Sequence, residues 1–173
     1  MDERVIFVLL AILGLFLYWL YKKVTEVKQD KIVEGFLQKV ESLTMYNIVF
    51  TEKNKEKSIL VRLYGVDEST KSQRGEQLQN NCIGRYRELQ GKASVRFQFK
   101  YRDSQGYYIG VLRLLKNTAS HIMIGEDIAE TILKNGIVRY RKERDKNKDL
   151  CLWYQGLEAK ARMDKEGIWK ENN

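Results

Sequence analysis

Proline is absent from this 173-residue chain, histidine occurs once and cysteine twice. Any motif that requires a proline is therefore incomplete. The two cysteines, Cys82 and Cys151, lie far apart, and neither has a second Cys or a His at ligand spacing. A zinc centre takes about four such ligands, so none is expected. Nothing in the sequence supports a disulfide between them, and a reducing compartment suits them as well. His121 has no acidic or nucleophilic neighbour to work with and reads as a loop or surface residue. No cofactor is expected. Internal repeats and low-complexity stretches are also missing.

What the chain does have is positive charge and one long apolar run. The formal net charge is +8. Beyond residue 21 there are 30 basic against 21 acidic side chains. That excess suits a nucleic acid, an anionic lipid surface or an acidic protein, without choosing among them. The length allows one domain of ordinary size, with a core that needs no disulfide staples, plus an anchor.

The apolar run is Val5 to Tyr21, 17 residues without a charge. As a helix it would span about 25 Å, near the short end for a bilayer. Tyr18, Trp19 and Tyr21 gather at one end and Lys22 and Lys23 follow directly, the pattern of a membrane exit. A cleaved leader would want a basic start and small residues at a cleavage site, whereas the start here is acidic and the exit is aromatic. The expected organisation is a tail at 1–4, a transmembrane helix at 5–21, a linker at 22–31 and a folded domain at 32–173. The lysines after the run place that domain on the cytosolic side, or on the matrix side of an inner mitochondrial membrane.

From Ile32 the pattern changes to short apolar runs separated by turns. Lys31–Leu43, Tyr46–Thr51 and Ser58–Val66 read as strands, the last two joined by the polar turn Glu52 to Lys57. Leu78, Cys82, Tyr86 and Leu89 recur at helical spacing. In Ala93–Arg102, Val95, Phe97, Phe99 and Tyr101 alternate with Arg96, Gln98, Lys100 and Arg102, which predicts aromatics inward and a ladder of cations outward. A strand at Tyr107–Leu115 follows. Helices are expected at Glu126–Asn135, with Gly136 as its stop, and at Leu150–Asp164, burying Trp153, Leu157 and Ala161. This order predicts an α+β fold: a five-stranded barrel of the OB type with about three helices.

Three segments of this domain resemble the staphylococcal-nuclease-like (thermonuclease) family. Val61-Arg62-Leu63-Tyr64-Gly65-Val66-Asp67 is similar to a strand ending R-L-x-G-[IV]-D. Leu133-x-x-Gly136-Ile137-Val138-x-Tyr140 is similar to L-[IV]-x-x-G-L-A-x-Y. Tyr154-x-x-x-Glu158-Ala159-x-Ala161, with Gly167-Ile168-Trp169, is similar to the closing helix and its G-I-W ending. The resemblance covers about residues 32–170, essentially the whole folded domain. An N-terminal membrane segment ahead of a degenerate domain of this kind is also the layout of an uncharacterised animal group.

The resemblance implies calcium-assisted phosphodiester hydrolysis, which needs carboxylates around a hard cation, a carboxylate base and arginines for the phosphate charge. Much of that set is missing. The acidic D-G-D-T turn corresponds to Leu43–Val49, with Asn47 as the nearest stand-in. In R-x-x-x-x-D-x-P-E, Arg62 and Asp67 match, but Ser69 and Thr70 replace the proline and the glutamate. At Y-G-R, Gln105-Gly106-Tyr107 puts tyrosine in place of arginine. Arg62 and Asp67 are therefore expected as a vestigial phosphate and metal site or as a plain ion pair, and Glu68 is expected to point elsewhere. The implied protein is a pseudoenzyme that serves as an accessory or scaffold subunit of a membrane complex. The alternatives are a membrane-tethered nucleic-acid-binding module and a residual nuclease. A basic docking patch for lipid headgroups or nucleic acid is expected from Arg139, Arg141, Lys142 and Arg144, extended by Arg96, Lys100 and Arg102. Tyr107 and Tyr108 are the candidates for an exposed stacking platform.

Overall fold

The computed structural model describes residues 13–18, 31–68, 72–117, 122–143 and 147–171. Of the expected anchor this includes only residues 13–18, which are helical, with Leu15 and Tyr18 exposed. The rest of the anchor, with Trp19, Tyr21, Lys22 and Lys23, and the linker up to Asp30 lie outside the described residues. Among the described residues no helix is long and apolar enough to cross a membrane.

The domain begins with strands β1 (Ile32–Val40), β2 (Met45–Glu52) and β3 (Lys55–Leu63). β1 ends earlier than the sequence predicts. The amides of Glu41 and Ser42 both donate to the Met45 carbonyl, and the resulting bend drops Leu43 into the core. The turn between β2 and β3 is shorter than expected. Only Lys53 and Asn54 lie outside the strands, both with positive φ (52° and 61°), as a two-residue hairpin demands. The charged residues around them continue the ladder because the Glu52–Lys57 ion pair (2.5 Å) satisfies them across it.

A two-residue strand β4 (Val66–Asp67) leads to helix α1 (Gln73–Arg87), whose first turn is capped by the Ser72 hydroxyl accepting from the Gly75 amide. Strands β5 (Ser94–Arg102), β6 (Tyr108–Asn117) and β7 (Ile122–Asp127) follow. Then come helix α2 (Ile128–Lys134), a short strand β8 (Arg139–Tyr140) paired with β4, helix α3 (Lys148–Met163) and a 3-10 turn at Gly167–Glu171. Strand β7 was not expected. Its Met123 and Ile124 are both exposed, so the alternation that marks a half-buried strand is missing.

The sheet runs β3-β2-β1-β5-β6-β7, and β3 also pairs with β6 in parallel, through Val61↔Tyr108, Arg62↔Ile109 and Leu63↔Gly110. That seam closes five strands into a barrel, as the OB-type expectation requires. Leu37, Ile48, Val61, Leu63, Val95, Phe97 and Leu112 are buried in it. One end is covered by α1, where Tyr86 meets Tyr46 edge-on with ring centroids 6.3 Å apart. α2 and α3 pack beside it, burying Ile128, Ile132 and Leu133 from one and Tyr154, Leu157 and Ala161 from the other. Trp153 is a correction: it is 53% exposed, and Tyr154 takes its place in the core.

Two of the three segments carrying the family resemblance meet in space. Gly136 (φ +60°) and Gly167 (φ +55°) stack backbone on backbone, and the Ile168 amide donates to the Gly136 carbonyl at 2.9 Å. A Cβ on Gly167 would lie 2.1 Å from that carbonyl oxygen, so only glycine fits there.

Candidate functional site

Arg62 is the penultimate residue of β3, in the seam with β6. Its guanidinium pairs with Asp103 at 3.4 Å and with Glu143 at 4.0 Å. Both acids are held in place by other bonds. The second Asp103 oxygen accepts the amides of Gln105 and Tyr107, each at 2.9 Å, which shapes the β5–β6 turn. Glu143, with only 4% of its side chain exposed, accepts from the Gly65 amide at 3.3 Å and from the Tyr101 hydroxyl. Burial, followed by that hydrogen bond, pushes the Tyr101 phenol well up from its ordinary value.

These groups line a polar cleft of about 450 Å³. Arg62, Arg102, Arg141 and Lys142 contribute four cations to it, and Asp103 and Glu143 contribute two carboxylates. Arg141 and Lys142 are exposed and have no acidic partner among the described residues. The charge excess at the mouth is therefore theirs and that of Arg102, whereas Arg62 is neutralised from two sides.

The remaining site residues are dispersed. Asp67 pairs in register with Arg139 in the β4–β8 ribbon and does not line the cleft. Glu68 points elsewhere, as expected, accepting the Leu43 amide at 3.1 Å. Asn47 accepts from the Ser58 hydroxyl at 2.5 Å on β2 and β3, away from the cleft. Ser69 and Thr70 lie outside the described residues, as do His121 and Arg144. Among the described residues no group of three or more His, Cys, Asp or Glu side chains could hold a metal ion. Cys82 and Cys151 are free thiols, and burial pushes that of Cys82 up to about 11.

The cation ladder on β5 does not form. A bulge between Phe99 and Tyr101 breaks the alternation and buries Lys100. Arg96 pairs with Glu34 at 2.5 Å, and Arg102 stacks on the Tyr108 ring at 4.2 Å. Arg139 lies over Trp169, which also carries Arg162 on its ring. Among the described residues of the expected patch, Arg102, Arg141 and Lys142 share the cleft. Tyr107 and Tyr108 are half-buried, Tyr108 edge-on against Phe99, and they make no exposed platform. Asp103 and Glu143 were missed. Glu143 shares its basic run with Asp145, so the sequence offered no signal that set it apart.

A family model described as "Staphylococcal nuclease homologue" matches residues 60–171, which hold the barrel seam, the cleft and the closing helix. The chain belongs to this family. Among curated proteins, none matches it. As a nuclease homologue it has the closed five-stranded barrel. Arg62 faces two carboxylates, those of Asp103 and Glu143.

Proposed function

We propose that this nuclease homologue is a membrane-anchored, non-catalytic protein serving as an accessory, scaffolding subunit of a membrane protein complex on the cytosolic or matrix side. The observation that carries this reading is the outer face of α3. Opposite its buried stripe the helix exposes Leu152 (65%), Trp153 (53%) and Met163 (82%), with Gly156 open beside them. A large aromatic and two long apolar side chains on one outward face suit a protein interface, since Trp and Met are enriched at interface centres. The engaged Arg62, together with threonine in the place of the family's glutamate base, supports the absence of hydrolysis. Gentle solubilisation of the source membrane followed by native separation tests it. The chain should co-migrate with partner subunits, and Leu152→Ser with Trp153→Ser should release them. A chain that runs as a lone monomer would refute the reading.

The exposed Arg141 and Lys142 beside Arg102 favour a second reading, a membrane-tethered nucleic-acid-binding module. It predicts binding that weakens steeply with salt and disappears on charge reversal at Arg141 and Lys142. Titration of labelled single-stranded DNA and RNA at low salt decides it. For residual hydrolysis, a calcium-dependent digestion assay with Asp67→Ala as control should show no activity in either protein.

A further inference from the structure

Where β1 begins and β2 ends, the described residues leave the barrel open. There Val33, Phe50, Ile59, Phe97, Phe99 and Tyr108 line an apolar pocket of about 330 Å³. Phe97 and Phe99 are buried at its floor, while Val33, Phe50, Ile59 and Tyr108 are half-buried walls. The volume falls at the lower end of the range for small-molecule sites, about 300–1,000 Å³.

The rim is charged. Glu52 accepts from Lys31 at 2.8 Å and from Lys57 at 2.5 Å, and these two bonds, with the charges behind them, hold its carboxyl down to about 2. Glu52 is thus ionised at neutral pH, and two ammonium groups share one carboxylate. Each ammonium has three donors, so both lysines keep N–H groups for a further anion. Lys31 is also the residue through which the linker from the expected anchor enters the domain, its carbonyl bonded to the Phe99 amide at 3.0 Å. The ten residues from Lys22 to Lys31 could span at most about 36 Å fully extended. The open end of the barrel is therefore within reach of a bilayer surface.

We propose that this pocket binds a single acyl chain carrying an anionic headgroup, with the chain among Phe50, Ile59 and Phe97 and the headgroup at Lys31 and Lys57. The ligand chemistry follows from the pocket alone; its supply by the bilayer rests on the membrane-anchored reading above. The test uses the full chain, in phosphatidylcholine nanodiscs or in plain buffer if it needs no lipid, with a photoactivatable dodecanoate as probe. Mass spectrometry should find the label on peptides holding Phe50, Ile59, Phe97 and Tyr108. Excess dodecyl phosphate should suppress labelling, inorganic phosphate should not, and dodecanol should compete more weakly. Ile59→Trp fills the pocket and should abolish labelling while cooperative melting persists, with Val33→Phe as the substitute if that variant fails to fold. Lys57→Glu should erase the advantage of dodecyl phosphate over dodecanol. Label scattered over the surface, dodecanol competing as well as the phosphate, or undiminished labelling in the filled variants would overturn the proposal. Release of the chain by alkaline carbonate, with the pocket still labelled, would remove the anchor reading and leave the pocket standing.

Discussion

Replacing Glu143 with alanine would leave the Gly65 amide and the Tyr101 hydroxyl without their acceptor, and Arg62 with Asp103 alone. The expected cost is about 3 kcal/mol in urea denaturation, because a nearly buried charge pair is broken from one side. Asp127 behaves differently. It caps α2 through the Glu130 amide and accepts from the Tyr154 hydroxyl, yet burial outweighs these and raises its carboxyl above the ordinary 3.8. A carboxyl raised on folding contributes stability that is complete below the unfolded value and lost as pH climbs through the folded one. Asp127→Asn should flatten that slope in denaturation series from pH 4 to 7. Asp127→Ala should cost about 1 kcal/mol at either pH through the lost cap. Little of this was legible in the sequence. Arg62 could be singled out because it stands in a recognisable strand, but its partners come from a turn and from a basic run far along the chain.

On helix α3 the difference between Trp153 and Tyr154 is one residue, or 100° of rotation. Tyr154→Ala should destabilise the fold by about 4 kcal/mol, since the ring is fully buried against Tyr64 and its hydroxyl reaches Asp127. Trp153→Ser should shift stability by no more than about 0.5 kcal/mol. Paired thermal melts would separate them. Sequence periodicity finds this helix and its buried Leu157 and Ala161, and misses only at Trp153, whose place in the core Tyr154 takes. On β5 the alternation correctly placed Val95, Phe97 and Phe99 inside. It could not foresee the bulge after Phe99, because a register slip leaves no mark on the hydrophobic pattern of its own strand. The β2–β3 hairpin permits a gain. Asn54→Gly would relieve a left-handed residue and should add up to about 1 kcal/mol, read as a higher urea midpoint.

Across the whole molecule the strand and helix order was readable, and the resemblance in three segments supplied the barrel that the order alone only suggested. The Gly136–Gly167 contact explains why two of those segments belong together: each glycine makes room for the other's backbone. Gly167→Ala should cost about 2 kcal/mol or more, measured by thermal or urea unfolding, since left-handed φ and a backbone clash add there. The parallel seam between β3 and β6 has a consequence for biosynthesis. Residues 61–63 cannot find their partners until residues 108–110 have left the ribosome, and the Gly136–Gly167 clasp comes later still. While residues 64–107 are being made, β3 is an edge strand with open hydrogen-bonding groups. Over that stretch the emerging chain carries an unpaired strand edge, the feature that makes folding intermediates prone to aggregation, whatever the finished protein does.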